Sequence, residues 1–282
     1  MQNHQDLLDG APVFMAAAEG SSEAIGAVCA ADPSCVTAQH PLNKATALHV
    51  AALHGHTQCV DELLSWGAEP CSGDSTAQTA LHYAANQEEV LYALLSSGTA
   101  RFAVNIEAEP SRATPLLYAA YYGNIGAISC LVDYGADIDG ADAEGTTALH
   151  IAAFNGQRKA VKLLVKYGAS LKLRDSQGRT PVEVAEVAGH DKVVKSLHRE
   201  ERKAAEANGT MATVEEGEEE EEPDEAEAAA AEDLGDDAWV EHTPLQDDID
   251  EHVQSSQVSS TTLFQVHALY DYAGEPGDLT FF

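Results

Sequence analysis

Along the first 200 positions the apolar residues cluster in short blocks at helical spacing, with polar residues and glycine between them. Val60/Leu63/Leu64, Ile128/Leu131/Val132 and Val161/Leu164/Val165 each follow the i, i+3, i+4 rhythm of a helix that buries one stripe. Ahead of them lies a shorter block, in which an apolar residue (Val13, Leu48, Leu81, Leu116, Leu149, Val182) precedes an alanine pair (Ala16-Ala17, Ala51-Ala52, Ala84-Ala85, Ala119-Ala120, Ala152-Ala153). Side chains that small predict helices packed close together. Gly20, Gly55, Gly123, Gly156 and Gly189 end the first helix of each unit, and Gly67, Gly98, Gly135 and Gly168 stand where a left-handed cap closes the second. The pattern therefore predicts two short helices per unit.

The unit recurs six times, with lead residues Ala11, Thr46, Thr79, Thr114, Thr147 and Thr180 at spacings of 35, 33, 35, 33 and 33. A threonine hydroxyl accepts a free N–H at a helix start, and proline at the next position, as in Thr114-Pro115 and Thr180-Pro181, needs no N–H partner there. The phrases T-A-L-H-V-A-A at 46, T-A-L-H-Y-A-A at 79, T-P-L-L-Y-A-A at 114 and T-A-L-H-I-A-A at 147 resemble the core of the ankyrin repeat. Residues from about Ala11 to Leu197 thus resemble a six-repeat ankyrin domain, assigned to 1–200. This resemblance implies an all-α solenoid of helix-turn-helix repeats with β-turn fingers, whose role is to bind other proteins. Its end units depart from the pattern as caps should, with Phe14 in the histidine position of the first and Glu183 and Glu186 in the last.

The third unit is irregular. Gly98 follows Thr79 by 19 residues where the second, fourth and fifth units take 21, so the turn between its helices is two residues short. The next loop, Gly98 to Thr114, spans 16 residues against 12 elsewhere and carries Arg101, Phe102, Ile106 and Arg112. Two readings stand: tolerated surface drift, or a specialised binding finger on a rigid scaffold.

Charge divides the chain again. Residues 1–200 hold 23 acidic and 13 basic side chains, whereas 201–282 hold 24 acidic and 2 basic. Glu215 to Glu251, with E-E-G-E-E-E-E-E-P-D-E, is too acidic and too poor in apolar residues to build a core, so 201–263 is expected to be a disordered acidic linker. Residues 264–282 contain A-L-Y-D-Y at 268–272 and D-L-T-F at 278–281, which resemble the opening of an SH3 domain. That resemblance implies an incomplete SH3-like β segment, the start of a longer ankyrin-plus-SH3 protein. It further implies that Tyr270 and Tyr272 line a groove for proline-rich ligands, with Glu275 and Asp278 pairing with a basic ligand residue. No P-x-x-P occurs in the chain to serve as an internal ligand.

Catalytic chemistry is not indicated, and the chain is expected not to be an enzyme. His49, His82 and His150 recur at one repeat position, which points to structural duty. His54 and His56 flank Gly55 with no carboxylate or cysteine at ligand spacing, so no metal is expected. Cys29, Cys35, Cys59, Cys71 and Cys130 show no C-x-x-C and suggest free thiols in a reducing compartment. No cofactor-binding motif is present. The acidic balance argues against nucleic acid, and without a targeting signal or a long apolar run the expectation is a cytoplasmic monomer with no membrane span. One basic cluster stands out: Arg158, Lys159, Lys162, Lys166, Lys172, Arg174 and Arg179. It reads as a solvated helix face or as a counter-surface for the acidic residues that follow.

Repeat logic locates the contact face. The two residues after each alanine pair, Leu53/His54, Asn86/Gln87, Tyr121/Tyr122 and Phe154/Asn155, are expected to face the concave groove. Tyr121, Tyr122 and Phe154 on adjacent units form the leading candidate patch, aromatic residues being frequent interface hot spots; the bland alternative is padding between helices. Fingertip positions Ser75, Thr76, Gln78, Ala143, Glu144, Thr146, Ser176, Gln177 and Arg179 would supply specificity, and Phe102 would add a contact from the long loop. The expected role is a protein-binding adaptor or scaffold. Alternatives are an inhibitor or chaperone-like subunit with an acidic ligand-mimicking segment, and the regulatory ankyrin region of a longer enzyme.

Overall fold

Each repeated phrase folds as a pair of short helices. The computed structural model describes residues 11–207, all within the first of the two units into which the chain divides, Met1–Asn208 and Gly209–Phe282. The pairs are α1 (Ala11–Glu19) and α2 (Ser22–Ala31), α3 (Ala47–Leu53) and α4 (Thr57–Ser65), α5 (Ala80–Tyr83) and α6 (Glu88–Ser96). Then follow α7 (Pro115–Tyr122) and α8 (Ile125–Asp133), α9 (Ala148–Phe154) and α10 (Arg158–Lys166), α11 (Pro181–Val187) and α12 (Asp191–Ala207). The odd-numbered helices stack on one another as an inner row and the even-numbered ones as an outer row. Among the described residues β structure is limited to two isolated bridges, Ala108 with Ala113 and Ala141 with Thr147. The described part is thus an all-α helical array.

Packing follows the small residues. Ala51, Ala52, Ala84, Ala85, Ala119, Ala120, Ala152 and Ala153 are all 0 % exposed, and so are the large side chains Leu63, Leu81, Leu117, Leu131, Leu149 and Leu164 around them. Each buried leucine contributes roughly 1.5–3 kcal/mol, and the alanines let the helices that carry them approach. In the outer row the buried stripe is turned relative to the predicted one. Val60, Leu63, Ile128, Leu131, Val161 and Leu164 are buried as expected, but Leu64, Val132 and Val165 are only half-buried, and Cys59, Ala127 and Ala160 fill the seam instead. An outer helix touches both its own inner helix and its outer-row neighbours, so its apolar face is broader than a single i, i+3, i+4 line.

The irregular third unit is shortened where the spacing predicts. After α5 the chain continues as a 3-10 turn, Ala84–Asn86, and only Gln87 separates it from α6, whereas three residues separate α3 from α4. The long following loop holds a second 3-10 turn, Ala100–Ala103. At the regular turns glycine is required on two counts. Gly123 adopts φ +68°, and a Cβ built there would stand 2.8 Å from the Gln157 amide carbon.

Backbone hydrogen bonds tie neighbouring fingers together at their tips. Ser75 N–H donates to Asn43 O at 2.7 Å, Glu109 to Thr76 at 2.7 Å, Ala143 to Ser111 at 2.8 Å and Ser176 to Glu144 at 2.7 Å. Three fingers are braced from within by an aspartate. One Asp74 oxygen accepts the N–H groups of Thr76 and Gln78, Asp142 does the same for Glu144 and Thr146, and Asp175 for Gln177 and Arg179.

The recurrent histidines clamp three fingers, each to the repeat before it. Thr46 N–H donates to His49 Nδ1 at 3.1 Å, which fixes the proton on Nε2, and Nε2–H donates to Gln78 O at 3.0 Å. His82 repeats this with Thr79 and Ala113 O, and His150 with Thr147 and Arg179 O. Each Thr–His pair is a capping box in which imidazole replaces the usual glutamate. Burial holds all three imidazoles neutral by lowering their pKa, that of His82 to about 4.

Candidate functional site

The candidate face is built on the C-terminal ends of the inner helices. Tyr121 and Tyr122 close α7, where the Gly123 cap stops the helix and leaves both rings at its end. Their rings meet edge to face with centroids 5.3 Å apart, and both are half-buried. Burial raises the Tyr121 phenol pKa, so it remains a neutral donor and acceptor. Phe154 closes α9 in the same register and is 38 % exposed. The backbone beneath is fixed from the next repeat. Tyr121 O accepts from Asn155 Nδ2 at 3.2 Å and from Gln157 Nε2 at 2.8 Å, while Phe154 O accepts from His190 Nε2 at 2.9 Å. Aromatic groups held on a rigid backbone lose little freedom on binding.

The remaining predicted positions divide into presented and occupied groups. His54 and Asn86 are exposed, and Leu53, Gln87 and Asn155 are half-buried. His54 stacks with its ring 6.0 Å from His56 and has a lowered pKa, chiefly from burial and then from the neighbouring imidazole. Asn155 is engaged through its amide with Tyr121 O, and Asn86 O accepts from Asn124 at 3.0 Å. Of the fingertips, Ser75, Ala143, Ser176 and Gln177 are exposed, Thr76, Glu144, Thr146 and Arg179 are half-buried, and Gln78 is buried at 4 % exposure. Gln78 falls inside because its N–H is held by Asp74 and its C=O by His49.

Phe102 is the most exposed of the large apolar side chains described, at 84 %, but it does not join the patch. Its loop is pinned against the C-terminal end of α8, where Asn105 donates to Gly135 O at 3.1 Å and accepts from Asp137 N at 2.9 Å. The Arg101 guanidinium lies 5.3 Å over the Tyr134 ring at that same end. The nine residues of α8 place it roughly 13 Å from the Tyr121–Tyr122 turn. Tyr270, Tyr272, Glu275 and Asp278 lie outside the described residues.

Two arrangements escaped the sequence reading. Tyr83 and Tyr118 cover the clamping histidines edge to face, at 5.3 Å from His49 and 5.6 Å from His82, and the Tyr83 hydroxyl donates to Asp74 at 2.8 Å. The H-Y-A-A and L-Y-A-A phrases held that signal. Cys29 and Cys35 bring their sulfurs to 3.3 Å in the first repeat, both buried, where burial and then the Cys35 hydrogen bond push the Cys29 thiol up to about 12. A six-residue spacing gives no warning of this; the 3-10 turn Pro33–Thr37 after α2 creates it.

Among the described residues no group of three or more His, Cys, Asp or Glu side chains is placed to hold a metal ion. Nor is any described helix long and apolar enough to cross a membrane.

The model of the family "Ankyrin repeats (3 copies)" matches residues 13–106, 97–175 and 116–210. This chain belongs to the ankyrin-repeat family. Two curated relatives share part of it. A palmitoyltransferase of Lachancea kluyveri, AKR1, is 33 % identical over 109 residues, 38 % of this chain and 15 % of that protein. The palmitoyltransferase Hip14 of Drosophila melanogaster is 35 % identical over 102 residues, 36 % of this chain and 16 % of that protein. The chain therefore spans only a small part of these relatives' length. Among solved structures, a chain from the complex of a Bdellovibrio bacteriovorus predatory endopeptidase with its immunity protein superposes at a TM-score of 0.60 and 26 % identity, covering 67 % of this chain and 97 % of that one. Ankyrin repeats are protein-interaction modules, so the coarse role of residues 11–207 is protein binding.

Proposed function

We propose that this ankyrin array is a non-catalytic adaptor or scaffold that holds a protein partner against the inner helices of the fourth and fifth repeats. The carrying observation is the Tyr121–Tyr122–Phe154 patch, accessible and aromatic, on a backbone fixed by Asn155, Gln157 and His190. Leu53, His54, Asn86 and Gln87 extend the same register toward the N-terminal repeats. The A-L-Y-D-Y and D-L-T-F phrases support a second, SH3-type recognition element for proline-rich ligands in the full-length protein. Five free cysteines support a reducing, cytoplasmic setting.

Partner capture with the full chain followed by mass spectrometry supplies the ligand, and Tyr121→Ala/Tyr122→Ala/Phe154→Ala tests the face. Since a hot-spot truncation costs about 2 kcal/mol, the triple variant is expected to weaken binding at least ~100-fold with an unchanged helical spectrum. Undiminished affinity would refute the assignment.

The palmitoyltransferase relatives favour a second reading, a regulatory ankyrin region of a longer enzyme. The intact mass of the natural protein separates the two: a value far above 29.8 kDa with a catalytic domain attached supports the second.

A further inference from the structure

Of the 15 basic residues in the chain, 12 lie between Arg158 and Lys203, together with 6 acidic ones, so this stretch carries +6 within a total of −32 and the remainder carries −38. The structure concentrates these charges. On α10 the exposed Lys159, Lys162 and Lys166 form one stripe at helical spacing, and the helix contains no acidic residue. On α12, which packs beside α10, the exposed Lys192, Lys195 and Arg202 form a second stripe; of that helix's acidic residues, Glu200 is paired with Arg199 and Lys203 and Glu201 with His198, while Asp191 stands at its start.

Most other cations in the array already have partners. Arg112 pairs with Glu107, Arg174 with Glu183, Arg179 with Asp175, and Arg101 lies over Tyr134. By contrast, Lys159, Lys162, Lys166, Lys192 and Lys195 make no ion pair or hydrogen bond among the described residues. Five lysines without a carboxylate, on two adjacent helices of a chain with 47 acidic side chains, form a surface suited to an anion from outside the array.

We propose that the outer face of α10 and α12 is a second docking surface, occupied by an acidic peptide segment of a partner protein. Its position on the outer row separates it from the aromatic patch on the inner row. The chemistry selects a peptide over other polyanions. None of the exposed large apolar side chains, from Met15 to Val187, belongs to α10 or α12, so nothing there inserts into a bilayer. A nucleic acid extends beyond a two-helix patch, and the −38 on the rest of the chain repels it, whereas a short acidic segment contacts the local lysines alone.

The test uses fluorescence anisotropy on the full chain with a labelled peptide of alternating glutamate and alanine, and its glutamine counterpart as control. The glutamate peptide is expected to bind, more weakly as salt rises, and the glutamine peptide is not. Lys159→Glu/Lys162→Glu/Lys166→Glu alters only exposed positions and is expected to weaken binding at least ~10-fold with an unchanged helical spectrum and melting temperature. No binding of the glutamate peptide, or equal binding by this variant, would overturn the proposal. So would tighter binding to phosphatidylserine vesicles or to duplex DNA than to the peptide. A synthetic copy of residues 215–251 is a further probe: if it alone binds, the occupant is this chain's own sequence and the assignment to a partner fails.

Discussion

Among the differences between the third and fourth repeats, His82 against Leu117 separates two duties that the histidine-bearing repeats combine. In the third, His82 caps its helix through Thr79 and clamps the next finger through Ala113 O. In the fourth, Leu117 occupies the equivalent place, fully buried, and has no polar atom for either. The sixth repeat shows the intermediate case. There Glu183 accepts the Thr180 N–H at 2.7 Å and completes an ordinary capping box. Among the described residues no seventh finger follows α12 to be clamped. Capping is thus the local duty of this position and clamping its tertiary one, and the imidazole here, with an acceptor and a donor on opposite sides of a ring, performs both.

The strongest way to break this comparison is to copy the fourth repeat into the third. His82→Leu nearly conserves volume but strands the buried Thr79 N–H and takes from Ala113 O one of its two donors, the Ala108 N–H remaining, so it should destabilise by about 3 kcal/mol in urea unfolding. A loss below about 1 kcal/mol would mean that packing alone holds the finger. A smaller effect comes from acid. His82 titrates at about 4 in the fold against an ordinary 6.5, so the unfolded chain binds the proton more readily. Its contribution is therefore complete above pH 6.5 and lost as pH falls toward 4. Between about pH 7 and pH 5 this single group should cost about 2 kcal/mol. Lowered values at His49 and His150 act in the same direction. His82→Leu should flatten the pH dependence, and an unchanged slope would assign it to other groups. The smallest effect is the reverse substitution. Leu117→His supplies a donor toward Thr146 O, the carbonyl equivalent to those of Gln78, Ala113 and Arg179, and should add about 1 kcal/mol. A loss of stability would show that the fourth joint has adapted to leucine.

Much of this array was legible because ankyrin repeats are locally coded. Lead threonines, alanine pairs and glycines mark helix starts, close contacts and left-handed turns, and the count of 19 against 21 residues located the shortened turn before Gln87. Positions whose fate depends on a neighbouring repeat were less legible. Gln78 has a fingertip address, yet it is held inside by Asp74 of its own finger and by His49 of the preceding repeat, a side chain that its own segment does not reveal. Phe102 was expected to add a contact from the long loop after the third unit. Asn105, through its bonds to Gly135 and Asp137, carries that loop to the other end of α8.

By itself the sequence determined the helix pairs, their repeat count, the assignment of the histidines to structure and the cluster of positive charge from Arg158 to Arg179, since each follows from residue type and spacing along one chain. Only the tertiary structure decided which side chains remain available. Stacking consumes hydrogen-bonding groups across joints, as at Asn155 and the Gln78 carbonyl, and aligns helices that sequence lists separately, so that Tyr121 and Phe154 share one face and the lysines of α10 and α12 another. Periodicity states which way a residue points from its own helix; what it meets there is set by the neighbouring repeat.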